Sequence, residues 1–135
     1  MRTQIAARIT VASLVLLTAT AASACGHCVE DRIAAVYDHA LVQRALASKH
    51  QIAYFAWDGS LAGDEASRRK LLALLEGVAG VDKGSARVSM DPAAIAVAFD
   101  PQRSNGASIA AALQTRLKVL GVAVVPLRMP AAAGR

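Results

Sequence analysis

The order of short apolar segments between residues 51 and 127 most strongly limits how this chain can fold. Residues 51–57 are rich in β-forming side chains, residues 65–75 repeat with helical spacing, and two strand-like segments follow at 86–90 and 94–99. A second helical segment ends near residue 120, and a last strand covers 122–127. This order predicts a ferredoxin-like βαββαβ domain of the α+β class, with a four-stranded antiparallel sheet and two helices on one face.

Capping and turn residues separate these segments. Asp64 is a typical N-cap for the first helix of the domain, and either Asn105 or Ser108 can cap the second. Gly121 predicts the end of that second helix. Pro126 lacks a backbone N–H, and it therefore predicts that the last strand lies at an edge of the sheet.

An additional helical segment precedes the domain at residues 29–48. No proline or glycine interrupts it, so the pattern predicts one continuous helix that ends at Lys49-His50. Its apolar side chains recur at positions that share one helix face. The predicted buried stripe consists of Val29, Ile33, Val36, Tyr37, Ala40 and Leu41.

The first 24 residues are typical of a secretory signal peptide. Arg2 and Arg8 give a basic start, an apolar stretch follows at 9–22, and Ala22-Ser23-Ala24 supplies the small residues of a cleavage site. The predicted organisation is therefore a signal peptide at 1–24, a motif and helix at 25–49, the ferredoxin-like domain at 50–129 and a flexible tail at 130–135. We expect a periplasmic or secreted protein.

Composition argues against nucleic-acid binding. The net charge of +5 is partly due to the signal peptide, and the run Arg68-Arg69-Lys70 has the spacing of a solvated helix face. Aromatic residues make up 4% of the chain, too few for base-stacking platforms. No glycine-rich phosphate loop or catalytic pairing of serine with histidine is visible. The sequence therefore favours a binding protein over an enzyme.

The motif Cys25-Gly26-His27-Cys28 contains both cysteines of the chain and one of its three histidines. Two thiolates and an imidazole are ligands that suit Cu(I) and Zn(II). The motif directly precedes a helix, whose N-terminal dipole stabilises a thiolate. We therefore predict a copper or zinc site formed by Cys25, Cys28 and His27. His39 lies about 16 Å further along a straight helix, so it and His50 are interpreted as surface or capping residues.

The domain resembles the heavy-metal-associated (HMA) family over about residues 52–128. The resemblance depends on core and turn positions, with Gly121 before the final strand and two longer stretches. These are Leu74-Leu75-Glu76-Gly77-Val78-Ala79-Gly80-Val81 and Ile95-Ala96-Val97-Ala98-Phe99-Asp100-Pro101. It implies a metal-binding or metal-transfer protein that exchanges an ion with a donor or acceptor protein.

The chain departs from the HMA pattern in the loop after the first strand. The family has M-x-C-x-x-C there, whereas this loop reads Asp58-Gly59-Ser60-Leu61-Ala62-Gly63 and has no cysteine, histidine or methionine. The metal function implied by the resemblance therefore does not transfer through this loop. Either the CGHC motif upstream replaces the missing ligands by folding back over the domain, or the domain is a scaffold with another role.

Two other interpretations of the motif remain open. CGHC is identical to the active-site tetrapeptide of protein disulfide isomerases, which implies a thiol–disulfide oxidoreductase with Cys25 as attacking thiol and Cys28 as resolving thiol. No strand precedes the motif, however, and no proline lies just before Ala86. Alternatively, Ala22-Ser23-Ala24-Cys25 resembles a lipobox. Lipidation of Cys25 would anchor the chain to a membrane, and it is the one route by which we expect a membrane contact.

Overall fold

Four strands and four α-helices form the part of the chain that the computed structural model describes, residues 28–130. A single 3₁₀ turn, Lys118–Leu120, extends the last helix. None of the helices in this range is long and apolar enough to cross a membrane. In chain order the elements are α1 (Val29–Val36), α2 (His39–Ala47), β1 (Gln51–Asp58), α3 (Glu65–Glu76), β2 (Arg87–Ser89), β3 (Ala94–Phe99), α4 (Gly106–Leu117) and β4 (Ala123–Arg128).

The strands form one antiparallel sheet in the order β2-β3-β1-β4. In the centre of the sheet Tyr54 of β1 pairs with Ala96 of β3. Strand β4 lies at an edge, as Pro126 predicted, and Pro126 pairs with Phe55. This strand order, with α3 and α4 as the crossovers, confirms the predicted ferredoxin-like α+β fold.

The main core lies between the sheet and helices α3 and α4. Alternate residues of β1 and β3 point to this side because side chains alternate across a strand. They meet the apolar faces of the two helices, and most of them are fully buried. The side chains at the centre of this core are Ala53, Phe55, Trp57, Leu71, Leu75, Ile95, Val97, Phe99, Ile109, Leu113 and Leu117.

Helices α1 and α2 cover the opposite face of the sheet. Strand β3 presents three alanines there, and these small side chains let the helices approach the backbone closely. All six residues of β3 are therefore buried. The contacts on this face join Ile33, Val36, Leu41 and Ala45 of the helices to Ile52, Tyr54, Ala94, Ala96 and Ala98 of the sheet.

The prediction of one continuous helix over residues 29–48 was wrong. The backbone is extended at Tyr37 and Asp38, and a new helix begins at His39. Asp38 caps it by accepting a hydrogen bond from the Leu41 N–H at 3.1 Å, and it also pairs with Arg87 of β2. The break turns the chain, so both short helices lie on the sheet. Three members of the predicted buried stripe, Val29, Tyr37 and Ala40, are exposed instead.

Most predicted boundaries hold within two residues. Asp64 caps α3 through the Ser67 N–H at 2.8 Å, and Asn105, not Ser108, caps α4. Gly121 ends the helical region in the left-handed conformation, at φ 67°. Strand β2 is shorter than the predicted 86–90, and β4 begins at Ala123, one residue later than predicted.

Candidate functional site

Cys28 is the member of the predicted ligand set that lies within the described residues. Cys25 and His27, like the predicted signal peptide, lie outside residues 28–130. Cys28 is the N-cap of α1, and its thiol is exposed and free of any disulfide. Its backbone N–H points to a carboxylate oxygen of Asp31 at 3.4 Å. The thiol therefore lies at the open end of a helix that is fixed to the domain.

Three kinds of contact fix α1 to the sheet. Ile33 and Val36 are buried against Tyr54 and the alanines of β3, and burial of such a side chain contributes about 1.5–3 kcal/mol. The Arg32 guanidinium donates a hydrogen bond to the Ala93 carbonyl at 2.7 Å. Glu30 pairs with Arg128 at 2.9 Å, which places the first turn of α1 beside the end of β4. The apolar burial outweighs the exposed ion pair, for which about 0–1 kcal/mol is usual.

Two carboxylates follow Cys28 in the first turn of α1. Glu30 and Asp31 both lie in the first turn of α1. Arg128 offsets the charge of Glu30, whereas the Asp31 carboxylate accepts its hydrogen bond from the backbone of Cys28. Negative charge beside a thiol attracts a cation, whereas reactive redox cysteines usually lie in electropositive surroundings. The structure shows an exposed thiol with two carboxylates in the helix turn that follows it.

The loop after β1 is occupied by structural contacts. A side chain at Gly59 would come within 2.9 Å of the Gly121 carbonyl oxygen, so the loop packs closely against the start of β4. At the other end of the loop, Asp64 accepts hydrogen bonds from Ser67, and these lower the pKa of its carboxyl. Between residues 28 and 130, no group of three or more His, Cys, Asp and Glu side chains is placed to hold a metal ion.

The two remaining histidines differ from each other. His39, the first residue of α2, is exposed, as expected. His50 is half-buried, and its Nδ1 lies 2.6 Å from the Asp82 carboxylate. Sequence reasoning missed this pair because 32 residues separate its members and neither belongs to a recognisable motif. The pair ties the chain just after α2 to the loop before β2.

The aromatic residues of β1 belong to the core. Phe55 and Trp57 face α3 and α4, and the Trp57 indole N–H donates to the Ser89 carbonyl at 3.0 Å. Tyr54 faces α1, and burial raises the pKa of its phenol. The run from Arg68 to Lys70 lies on the outer face of α3, where Arg68 pairs with Glu65 at 2.7 Å. Ion pairs between residues three apart on one helix are typical of a solvated helix face.

No family model matches the chain, and no curated protein matches it. Two solved structures are similar to it. One is oxidized MerP from Ralstonia metallidurans CH34, with 16% identity, a TM-score of 0.46, and coverage of 58% of this chain and 99% of MerP. The other is a copper-binding domain from HMA7, a P-type ATPase, with 22% identity, a TM-score of 0.45, and coverage of 58% and 95%. The fold assignment itself depends on the strand order and register described above.

Proposed function

We propose that this protein binds a soft transition metal ion, copper or zinc, through the thiolates of Cys25 and Cys28 and the imidazole of His27. The observation that carries the proposal is the exposed Cys28 thiol at the start of α1, next to an acidic first turn. The other two proposed ligands precede it by one and three residues in the sequence. Thiolate and imidazole are ligands that both metals accept.

An open coordination position supports transfer of the metal ion. The motif offers three ligands, whereas a structural zinc site usually has four. A water molecule or a ligand from a partner protein would take the fourth position. Because Cys28 is exposed at a helix end, a second protein has access to the ion. We therefore propose that the chain exchanges its metal with a donor or acceptor protein.

Metal competition tests the proposed ligands. Zinc and Cu(I) affinities are measured against a chromophoric chelator for the wild type and for the Cys25→Ser, His27→Ala and Cys28→Ser variants. Loss of a ligand should weaken binding by at least about tenfold, equivalent to about 1.4 kcal/mol. His39→Ala is the matched control, because His39 is exposed on α2 and outside the motif. Unchanged affinity in the Cys28→Ser protein would contradict the proposal.

A trapping experiment separates metal binding from thiol–disulfide exchange. An oxidoreductase lacking its resolving thiol accumulates mixed disulfides with its substrates. The Cys28→Ser protein is isolated from its native compartment after acid quenching and run on non-reducing gels. For a metal-binding protein we expect no partner-sized adducts. Adducts that disappear in the Cys25→Ser, Cys28→Ser double variant would favour the oxidoreductase interpretation instead.

Export without lipidation is part of the proposal, because a lipid on Cys25 would remove a ligand. The intact mass of the protein from its native compartment should correspond to a chain that starts at Cys25. An increase of the size of a diacylglycerol would show that Cys25 is a membrane anchor, and it would rule out the proposed site.

A further inference from the structure

A small cleft of about 100 Å³ lies between the last turn of α2 and the segment from Asp82 to Ser85. It is on the sheet face covered by α2, and Leu41, Ala45 and Ala98 form its apolar floor. Its polar lining comes from Arg44, Ser48, His50, Asp82, Lys83 and Ser85. None of these residues belongs to the proposed metal site. The cleft is therefore a separate feature of the fold.

The walls of the cleft are fixed by hydrogen bonds. The Asp82 N–H donates to the Ala98 carbonyl at 2.8 Å, and the Ser85 hydroxyl donates to the Asp82 carbonyl at 2.6 Å. The Gly84 N–H donates to the carboxylate of Glu76 at 2.8 Å. These contacts hold the segment in one conformation against β3 and α3. The cleft is thus bounded by a segment whose backbone is hydrogen-bonded to its neighbours.

Several hydrogen-bond acceptors at the cleft already have partners. A carboxylate oxygen of Asp82 lies 2.6 Å from Nδ1 of His50. The last carbonyls of α2, at Arg44, Ala45 and Leu46, accept from the backbone N–H groups of Ser48, His50 and Lys49. A cation entering the cleft would therefore meet few free acceptors.

Three side-chain donors of the lining, in contrast, are unused. The side chains of Arg44, Ser48 and Lys83 are exposed, and within residues 28–130 none of them makes an ion pair or a hydrogen bond. In the lining, Arg44 and Lys83 bring two positive charges against one carboxylate, that of Asp82, while the Glu76 carboxylate outside the lining accepts from the Gly84 N–H. A guanidinium and an ammonium group form strong charge-assisted hydrogen bonds to oxyanions.

We propose that this cleft binds a small oxyanion, with Arg44 and Lys83 as the charged donors and Ser48 as a neutral one. The ligand class is sulfate, inorganic phosphate or the phosphate group of a small monoester, since the cleft has room for one such group above its apolar floor. The anion would link the end of α2 to the segment that leads into β2. It would thereby stabilise the N-terminal helices on the sheet.

Sulfate is the first probe, because its charge is constant over the pH range in which the protein is folded. Titration at constant ionic strength, with chloride as the balancing ion, is followed by NMR at the His50 ring and at the amides of residues 82–85. A saturable shift confined to these signals is expected. In the Arg44→Ala, Lys83→Ala double variant the affinity should fall by at least about tenfold. A parallel titration with glycerol phosphate should shift the same signals if a phosphate monoester is accepted.

A control with the same net charge distinguishes a site from general screening. The Lys70→Ala, Lys118→Ala double variant removes two exposed cations that do not line the cleft, and its sulfate affinity should equal that of the wild type. An equal loss in both double variants would overturn the proposal, since the effect would then follow net charge. Linear, non-saturating shifts in the wild type would also overturn it.

Discussion

Several polar side chains connect neighbouring elements by hydrogen bonds to their backbone groups. Gln114 of α4 shows this well: its amide oxygen accepts from the Val124 N–H at 2.9 Å, and its amide nitrogen donates to the Val122 carbonyl at 3.2 Å. Glu76 likewise accepts from two backbone N–H groups of the segment before β2. Each residue thus satisfies backbone groups that no strand partner reaches.

The N-cap of α4, Asn105, should contribute measurably to the stability of the fold. Asn105 accepts from the Ser108 N–H at 2.9 Å, so Asn105→Ala should lower the free energy of unfolding by about 1 kcal/mol. Urea unfolding followed by circular dichroism measures this change. Ser108→Ala is the control, because Ser108 contributes only its backbone N–H to the cap. A larger loss in the Ser108→Ala protein would show that the cap is wrongly assigned.

The packing of both N-terminal helices on the sheet depends on the extended residues between them, Tyr37 and Asp38. Asp38 caps α2 and pairs with Arg87 of β2 at 2.8 Å, and it thereby joins the turn to the edge of the sheet. The backbone N–H of Leu41 is the main cause of the lowered pKa of Asp38, and Arg87 adds to it. The ionised carboxylate is therefore the form that holds the turn.

This lowered pKa predicts how the stability of the wild type depends on pH. The contribution of Asp38 is fully present above the ordinary pKa of an aspartate and is lost as the pH falls through the lower pKa of the folded state. The wild type should therefore be more stable than Asp38→Ala at pH 7, and the difference should shrink towards pH 2. Asp38→Asn is the comparison, since it keeps a cap oxygen and should flatten the pH dependence. A constant difference between wild type and Asp38→Ala would contradict this role.

In residues 28–130, apolar side chains are buried on both sides of a single sheet, in a larger core on one face and a smaller one on the other. The larger core contains the fully buried side chains between the sheet and helices α3 and α4. The smaller core depends on a few residues of α1 and α2 that pack on the alanines of β3. Because few apolar contacts hold the N-terminal helices, we expect them to open locally before the domain unfolds.

Hydrogen exchange with two matched variants tests this difference between the cores. Leu113→Ala removes a fully buried side chain from the larger core and should lower the global free energy of unfolding by about 2–5 kcal/mol. Ile33→Ala should mainly accelerate exchange in residues 29–47. Its effect on the backbone amides of α3 and α4 should be small. Equal acceleration throughout the chain in both variants would show that the two cores unfold together.

Local sequence patterns predicted the fold of the domain and most of the boundaries of its helices and strands. Hydrophobic periodicity, the cap at Asp64 and the edge preference of Pro126 act over a few residues, so the sequence alone predicted the βαββαβ order. The sequence also directed attention to Cys28, because its ligand chemistry is a property of the residue itself. The described residues place its thiol at an exposed helix end, and they leave Cys25 and His27 as predictions.

The tertiary structure decided what depends on contacts between distant residues. The helical pattern of residues 29–48 is uninterrupted in the sequence, yet the helix is interrupted at Asp38. The ion pair with Arg87 and the packing on the sheet favour two short helices over one long helix. The pairing of His50 with Asp82, and the cleft beside it, have no local signal either. Local spacing determines which element forms. Which face an element covers, and which polar groups meet there, depends on the free energy of packing the whole chain.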